Sequence, residues 1–111
     1  MNQLEHSIID YLKSHHRSKG NAIHFKDLAE YFEINERELR NIIADLITDW
    51  QIPIGSSQTG YFFIDNDNDF TLAHAELISR IKKLARRAKG MRIGYMKSKQ
   101  EIIKQLELLE V

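Results

Sequence analysis

The stretch Ile52–Ile64, IPIGSSQTGYFFI, decides how this chain is read. Two apolar runs flank a polar tip that includes Gly60, the pattern of a β-hairpin. A lone hairpin is barely stable in water, and the sequence on both sides has helical periodicity, so the two strands need helices to pack on. Upstream, Leu4, Ile8, Ile9 and Leu12 recur at helical spacing and predict a first helix over residues 3–15. SHHRSKGN (14–21) breaks it, and AIHF (22–25) is a candidate short strand. Leu28, Ala29 and Phe32 mark a short second helix. Asn35 is a candidate N-cap with Glu38 three residues on, a capping-box pattern. Leu39, Ile42, Ile43, Leu46 and Ile47 then line one face of a third helix ending near Trp50.

The order is helix, short strand, helix, turn, helix, hairpin. It predicts a mainly α fold with a small β-hairpin, in which AIHF pairs with the hairpin and the hairpin packs on three helices: the winged helix-turn-helix plan. Trp50, Tyr61 and Phe63 are expected in the core. Two crossed helices around a tight turn need small and apolar residues at fixed offsets, and residues 25–44 supply them. Ala29 allows close approach, Phe32 closes the first helix, Ile34 plugs the turn, and Leu39 and Ile42 hold the second helix down. Glu33 stands at the turn, where glycine is common.

Further on, DNDND (65–69) is a polar break and the expected domain edge, dividing a winged-helix domain (1–66) from a C-terminal extension (67–111). A calcium loop starting at Asp65 would place Glu76 at its twelfth position, but Phe70 occupies the sixth, where the sharp turn needs glycine. The segment therefore reads as a loop and helix cap. From Thr71 to Lys89 the periodicity predicts a helix with Leu77, Ile81, Leu84, Ala88 and Met91 on one stripe, and Arg80, Lys82, Lys83, Arg86, Arg87 and Lys89 on the remaining arc. Gly90 and Gly94 bracket an expected break. Ile102, Ile103, Leu106 and Leu109 belong to a last helix. Its apolar face suits either a homodimer contact through the C-terminal helices or a fold back onto the long helix.

The 111 residues suit one domain with an appendage. At 42% hydrophobic the chain can pack a core. It has no cysteine and no apolar run long enough to span a bilayer. MNQLEHSIID lacks the basic and apolar regions of an export leader, so a cytoplasmic location and no membrane partner are expected. The zero net charge hides an asymmetry: residues 1–70 carry six Lys/Arg and twelve Asp/Glu, residues 71–111 ten and four. Arg80 to Lys99 holds nine Lys/Arg and no acid. Such polarity points to an anionic partner for the C-terminal part or to contact between the halves; a solvated helix surface produces the same pattern.

Enzyme readings find little. His6, His15, His16, His24 and His74 form no HExxH pair, no glycine-rich phosphate loop exists, and Ser56 and Ser57 lack a G-x-S-x-G setting. No catalytic residue, cofactor or metal-ligand set is predicted. His15 and His16 sit at a predicted helix C-terminus, where a protonated imidazole favours the dipole.

Residues 25–64 resemble the winged-helix DNA-binding domains of bacterial regulators, most closely the N-terminal domain of bifunctional biotin ligase-repressors. Those domains also end their wing in a Gly-Tyr pair followed by apolar residues, matching Gly60-Tyr61 here. The whole chain is similar to small bacteriophage or prophage winged-helix proteins that append a basic helix. The resemblance implies binding of double-stranded DNA in a bacterial cell or phage-infected host, in transcriptional control or in replication or recombination. It implies that the third helix enters the major groove. Asn35, Arg37, Arg40 and Asn41 are then the candidate base readers, since Arg can donate two hydrogen bonds to guanine and Asn can pair with adenine. Ser56, Ser57, Gln58 and Thr59 at the wing tip are candidate phosphate contacts, and Arg80, Lys83, Arg86 and Arg87 would track the backbone. Winged helices also dock proteins, and the acids Glu36, Glu38, Asp45 and Asp49 on the third helix suit a basic partner, so an adaptor binding a host or phage protein is the alternative.

Overall fold

The structure, a computed structural model, describes residues 1–109; the last two residues of the 67–111 extension lie outside the described residues. The chain is mainly helical with one two-stranded antiparallel hairpin and a long C-terminal helix. It divides into two compact units, Met1–His74 and Ala75–Val111.

In the first unit, helix α1 (Gln3–His15) begins at a complete capping box: Asn2 accepts from the Glu5 N–H at 2.8 Å and the Glu5 carboxylate accepts from the Asn2 N–H at 3.2 Å. The four apolar residues spaced along α1 turn inward, with Ile8 and Leu12 fully buried. A 3-10 turn at Lys19–Asn21 leads to α2 (Phe25–Tyr31), then α3 (Glu36–Thr48). Asn35 caps α3 by accepting from the Glu38 N–H at 2.8 Å.

The α2–α3 turn explains the residue that departed from the helix-turn-helix pattern. Glu33 has φ +56°, the left-handed region where glycine is favoured. Its N–H donates to the Glu30 carbonyl at 3.1 Å, and the Ile34 N–H donates to the Ala29 carbonyl at 3.0 Å. These are the two bonds of a Schellman motif, with Ile34 following as the apolar plug. A left-handed residue is required there, and Glu33 supplies it at some steric cost.

Strand β1 (Ile54–Ser57) pairs with β2 (Gly60–Phe63) in the register Ile54 to Phe63 and Ser57 to Gly60, leaving Gln58 and Thr59 as the loop. All four residues of β2 are buried. Ile54, Tyr61 and Phe63 join Ile8, Ile9, Leu12, Leu28, Ala29, Leu39, Ile43 and Leu46 in one core. The helices thus give the hairpin the apolar surface it lacks alone.

Several expectations are corrected. AIHF is not a strand: only Ile23 bridges, exchanging two 2.9 Å bonds with Tyr61, and Phe25 already opens α2. Two bonds are too few for a strand, yet they dictate Gly60. Its φ is +130°, and a Cβ there would overlap the Ile23 carbonyl. A second bridge joins Arg17 to Phe63. Trp50 is 47% exposed rather than in the core, because α3 has ended and Gln51 turns the chain at φ +52°. The long helix has no break at Gly90–Gly94, and no separate last helix follows: α4 runs from Asp67 to Leu109, starting before Thr71. Each glycine costs a helix only about 1 kcal/mol relative to alanine, and the strong helix formers around them outweigh that.

The acidic run ends as a cap. Asn66 accepts from the Asp69 N–H at 2.8 Å, and the buried Asp69 carboxylate accepts from the Lys19 N–H at 2.8 Å and the Asn66 amide at 3.0 Å. The Lys19 bond first, then Asn66, holds the Asp69 carboxyl below the usual aspartate range, against the opposing effect of burial. This carboxylate ties the start of α4 to the 3-10 turn within the first unit.

Candidate nucleic-acid interface

α3 is amphipathic because its apolar residues fall on one arc. Leu39, Ile43 and Leu46 are buried, while Asn35, Arg37, Arg40, Asn41 and Ala44 are exposed. Arg37, Arg40, Asn41 and Ala44 stand at offsets of three, four and seven residues, so they form one strip facing away from the core. Among the described residues, Arg37 and Arg40 form no salt bridge. Asn35 is on the same end of the helix, but its side-chain oxygen is held by the cap, leaving its amide N–H groups to contact a ligand. At 100° per residue, Glu38, Asp45 and Asp49 run down one flank of this strip.

Arg40 also bears on Tyr61. Burial pushes the Tyr61 hydroxyl above its ordinary pKa, and the positive charge of Arg40 partly offsets this. Spacing along the sequence does not reveal that the charge of Arg40 acts on a β2 residue.

The hairpin tip is partly committed to itself. The Ser57 and Thr59 hydroxyls lie 2.8 Å apart, and the Thr59 N–H donates to the Ser57 hydroxyl at 3.3 Å. Ser56 and Gln58 are exposed. The tip carries no Lys or Arg. Cations without a periodic signal lie on the first unit instead: Lys13 and Arg17 each sit over the Phe63 ring, at 5.5 and 5.4 Å, and Arg17 meets Asp65 at 3.5 Å. The contact depends on the α1–β2 packing, so no local pattern announces it.

An open cleft on α1 and α2, about 440 Å³, was also not foreseen. The Tyr11 and Tyr31 rings stack there at 4.1 Å, with Phe32 edge-on to Tyr11 and His15 nearby.

In the second unit, Lys83, Arg86 and Arg87 are exposed on α4. Arg80 is also exposed, but donates to Glu76 one turn earlier at 2.6 Å. With no acid between Arg80 and Lys99, this stretch is a concentrated source of positive potential. No helix among the described residues is long and apolar enough to cross a membrane. Comparison of the chain with family models, curated proteins and solved structures finds no match.

Proposed function

We propose that this protein binds double-stranded DNA in the cytoplasm, with α3 as the reading helix of a winged helix-turn-helix and the basic stretch of α4 supplying phosphate contacts. Its role would be transcriptional control, or replication or recombination at a specific site, of the kind served by phage and prophage proteins of this plan. The observation that carries the reading is the strip of Arg37, Arg40 and Asn41: exposed, without salt bridges among the described residues, and on the helix that follows the Glu33 turn. Arginine and asparagine in such a strip match the donor and acceptor pattern of base edges in the major groove. The wing supports positioning through Ser56 and Gln58 more than through Ser57 and Thr59, whose hydroxyls bond to each other.

Fluorescence anisotropy with random duplex DNA at two salt concentrations tests this. Binding through several Lys/Arg contacts weakens steeply as salt rises. Arg86→Ala weakens all sequences alike and flattens the salt slope by about one, whereas Arg40→Ala costs about 1–3 kcal/mol on the preferred site and relaxes one position. Absence of binding at low salt overturns the proposal.

The second reading, a winged-helix adaptor for a host or phage protein, is favoured by a specific observation. The acidic first unit offers the open Tyr11–Tyr31 cleft, and aromatic-lined clefts of this kind suit protein side chains. Capture of a protein without nucleic acid, lost on Tyr31→Ala and kept on Arg40→Ala, would select it.

A further inference from the structure

Between Leu77 and Leu109, α4 carries a heptad pattern. Ile81, Ala88, Tyr95, Ile102 and Leu109 take the a positions, and Leu77, Leu84, Met91, Ser98 and Gln105 the d positions. Every residue from Ala75 to Leu109 is exposed, and the large apolar residues of this seam are 53–82% exposed. A seam about 50 Å long, apolar in eight of ten positions, exceeds the apolar patches that monomers ordinarily leave open.

We propose that this seam docks a second copy of the chain as an antiparallel two-stranded coiled coil centred on residue 93. Charge selects the partner's orientation. In a parallel pair, Arg87 at g lies beside the partner's Arg92 at e twice over, and no g–e pair is of opposite charge. In the antiparallel pair, g faces g and e faces e, so Arg87 meets the partner's Glu101 on both sides of the centre. A single like-charged contact, between Arg92 and the partner's Arg92, remains. The core layers also match in size. Leu77 faces the partner's Leu109, Leu84 the partner's Ile102, Met91 the partner's Tyr95, and the small Ala88 faces the partner's Ser98. Gln105 faces the partner's Ile81, and polar residues of this kind in a seam fix register. Lys82, Lys83, Arg86, Lys89 and Lys97 occupy b, c and f positions and point away from the seam, so Lys83 and Arg86 stay open to phosphate in the pair, while Arg80 and Arg87 stand at g and Arg87 is shared with the partner's Glu101.

The test uses the full chain without DNA. Sedimentation equilibrium at high micromolar concentration should give twice the 13.0 kDa chain mass, and Leu84→Asp should return it to the monomer. The sign of one substitution then separates the orientations. Arg87→Glu places two acids against the partner's two Glu101 side chains and should weaken the dimer about tenfold; adding Glu101→Arg should restore it. Because the chain has no cysteine, Ser79→Cys takes a single spin label, and label-to-label distance should be about 40 Å from the helical rise. A monomer or tetramer at that concentration, a tighter dimer on Arg87→Glu, or a label distance near the width of two packed helices overturns the proposal.

Discussion

Residues 1–74 and 75–109 use the same helical alphabet to opposite ends. The first unit is acidic and builds a core from residues of its helices and hairpin, and six of its side chains are essentially inaccessible. The second is basic and buries none of its residues. In the first unit, short helices and a hairpin cannot stand alone and are held by mutual burial. In the second, one long helix satisfies its backbone hydrogen bonds along its own length and leaves its apolar seam open within the chain. The same substitution should therefore have different consequences in the two places.

Glycine gives the largest contrast. Gly60→Ala forces a Cβ into the Ile23 carbonyl at a backbone angle L-residues rarely adopt, and should cost about 4 kcal/mol or abolish folding of the first unit. Gly90→Ala meets open space within a helix and should stabilise α4 by about 1 kcal/mol. Thermal melts and far-UV circular dichroism read both, and equal signs would break the contrast.

Leucine comes next. Leu39 is fully buried, so Leu39→Ala should lower stability in urea by about 3 kcal/mol. Leu84→Ala, at a 58% exposed position, should leave the first unit's unfolding midpoint where it is.

A smaller effect sharpens the reading of the turn. Glu33→Gly relieves the left-handed strain at φ +56° and should raise stability by about 0.5–1 kcal/mol, less than the strain itself because glycine has more freedom to lose on folding. A decrease would mean that the Glu33 side chain makes a contribution the backbone angle does not suggest.

The pH dependence is the subtlest. The folded-state pKa of Asp69 lies below its unfolded value. Its contribution is therefore full above the unfolded value, near 4, and is lost as pH falls through the lower folded value. Asp69→Asn should lower the melting temperature at neutral pH and flatten its acid limb, while leaving the helicity of the second unit unchanged. An unchanged acid limb would remove Asp69 from the account.

The contrast also shows what local patterns can reveal. The α1 apolar spacing, the Asn35 cap, the α3 face and the Ile52–Ile64 hairpin were readable because each depends on neighbours a few residues away. The strip of Arg37, Arg40 and Asn41 was readable as a face for the same reason. Trp50 was misplaced because its exposure follows from how the chain leaves α3, not from its apolarity. The supposed strand at Ala22–Phe25 failed because strand pairing is decided by the distant Tyr61, which engages Ile23 alone. Gly90 and Gly94 were read as a break because glycine signals are ambiguous where nothing else competes with the helix. The Arg17 and Lys13 contacts to Phe63 and the Tyr11–Tyr31 cleft had no signal in spacing, since each joins segments far apart along the chain.

By itself the sequence determined the first three helices, the hairpin and the division of charge, because hydrophobic periodicity, caps and side-chain charge are local properties. Tertiary structure alone decided that Gly60 must be glycine, that Asp69 anchors the start of α4 to Lys19, and that Ile23 pairs with Tyr61. Each depends on atoms brought together by burial of a shared core, and no window of sequence contains both partners.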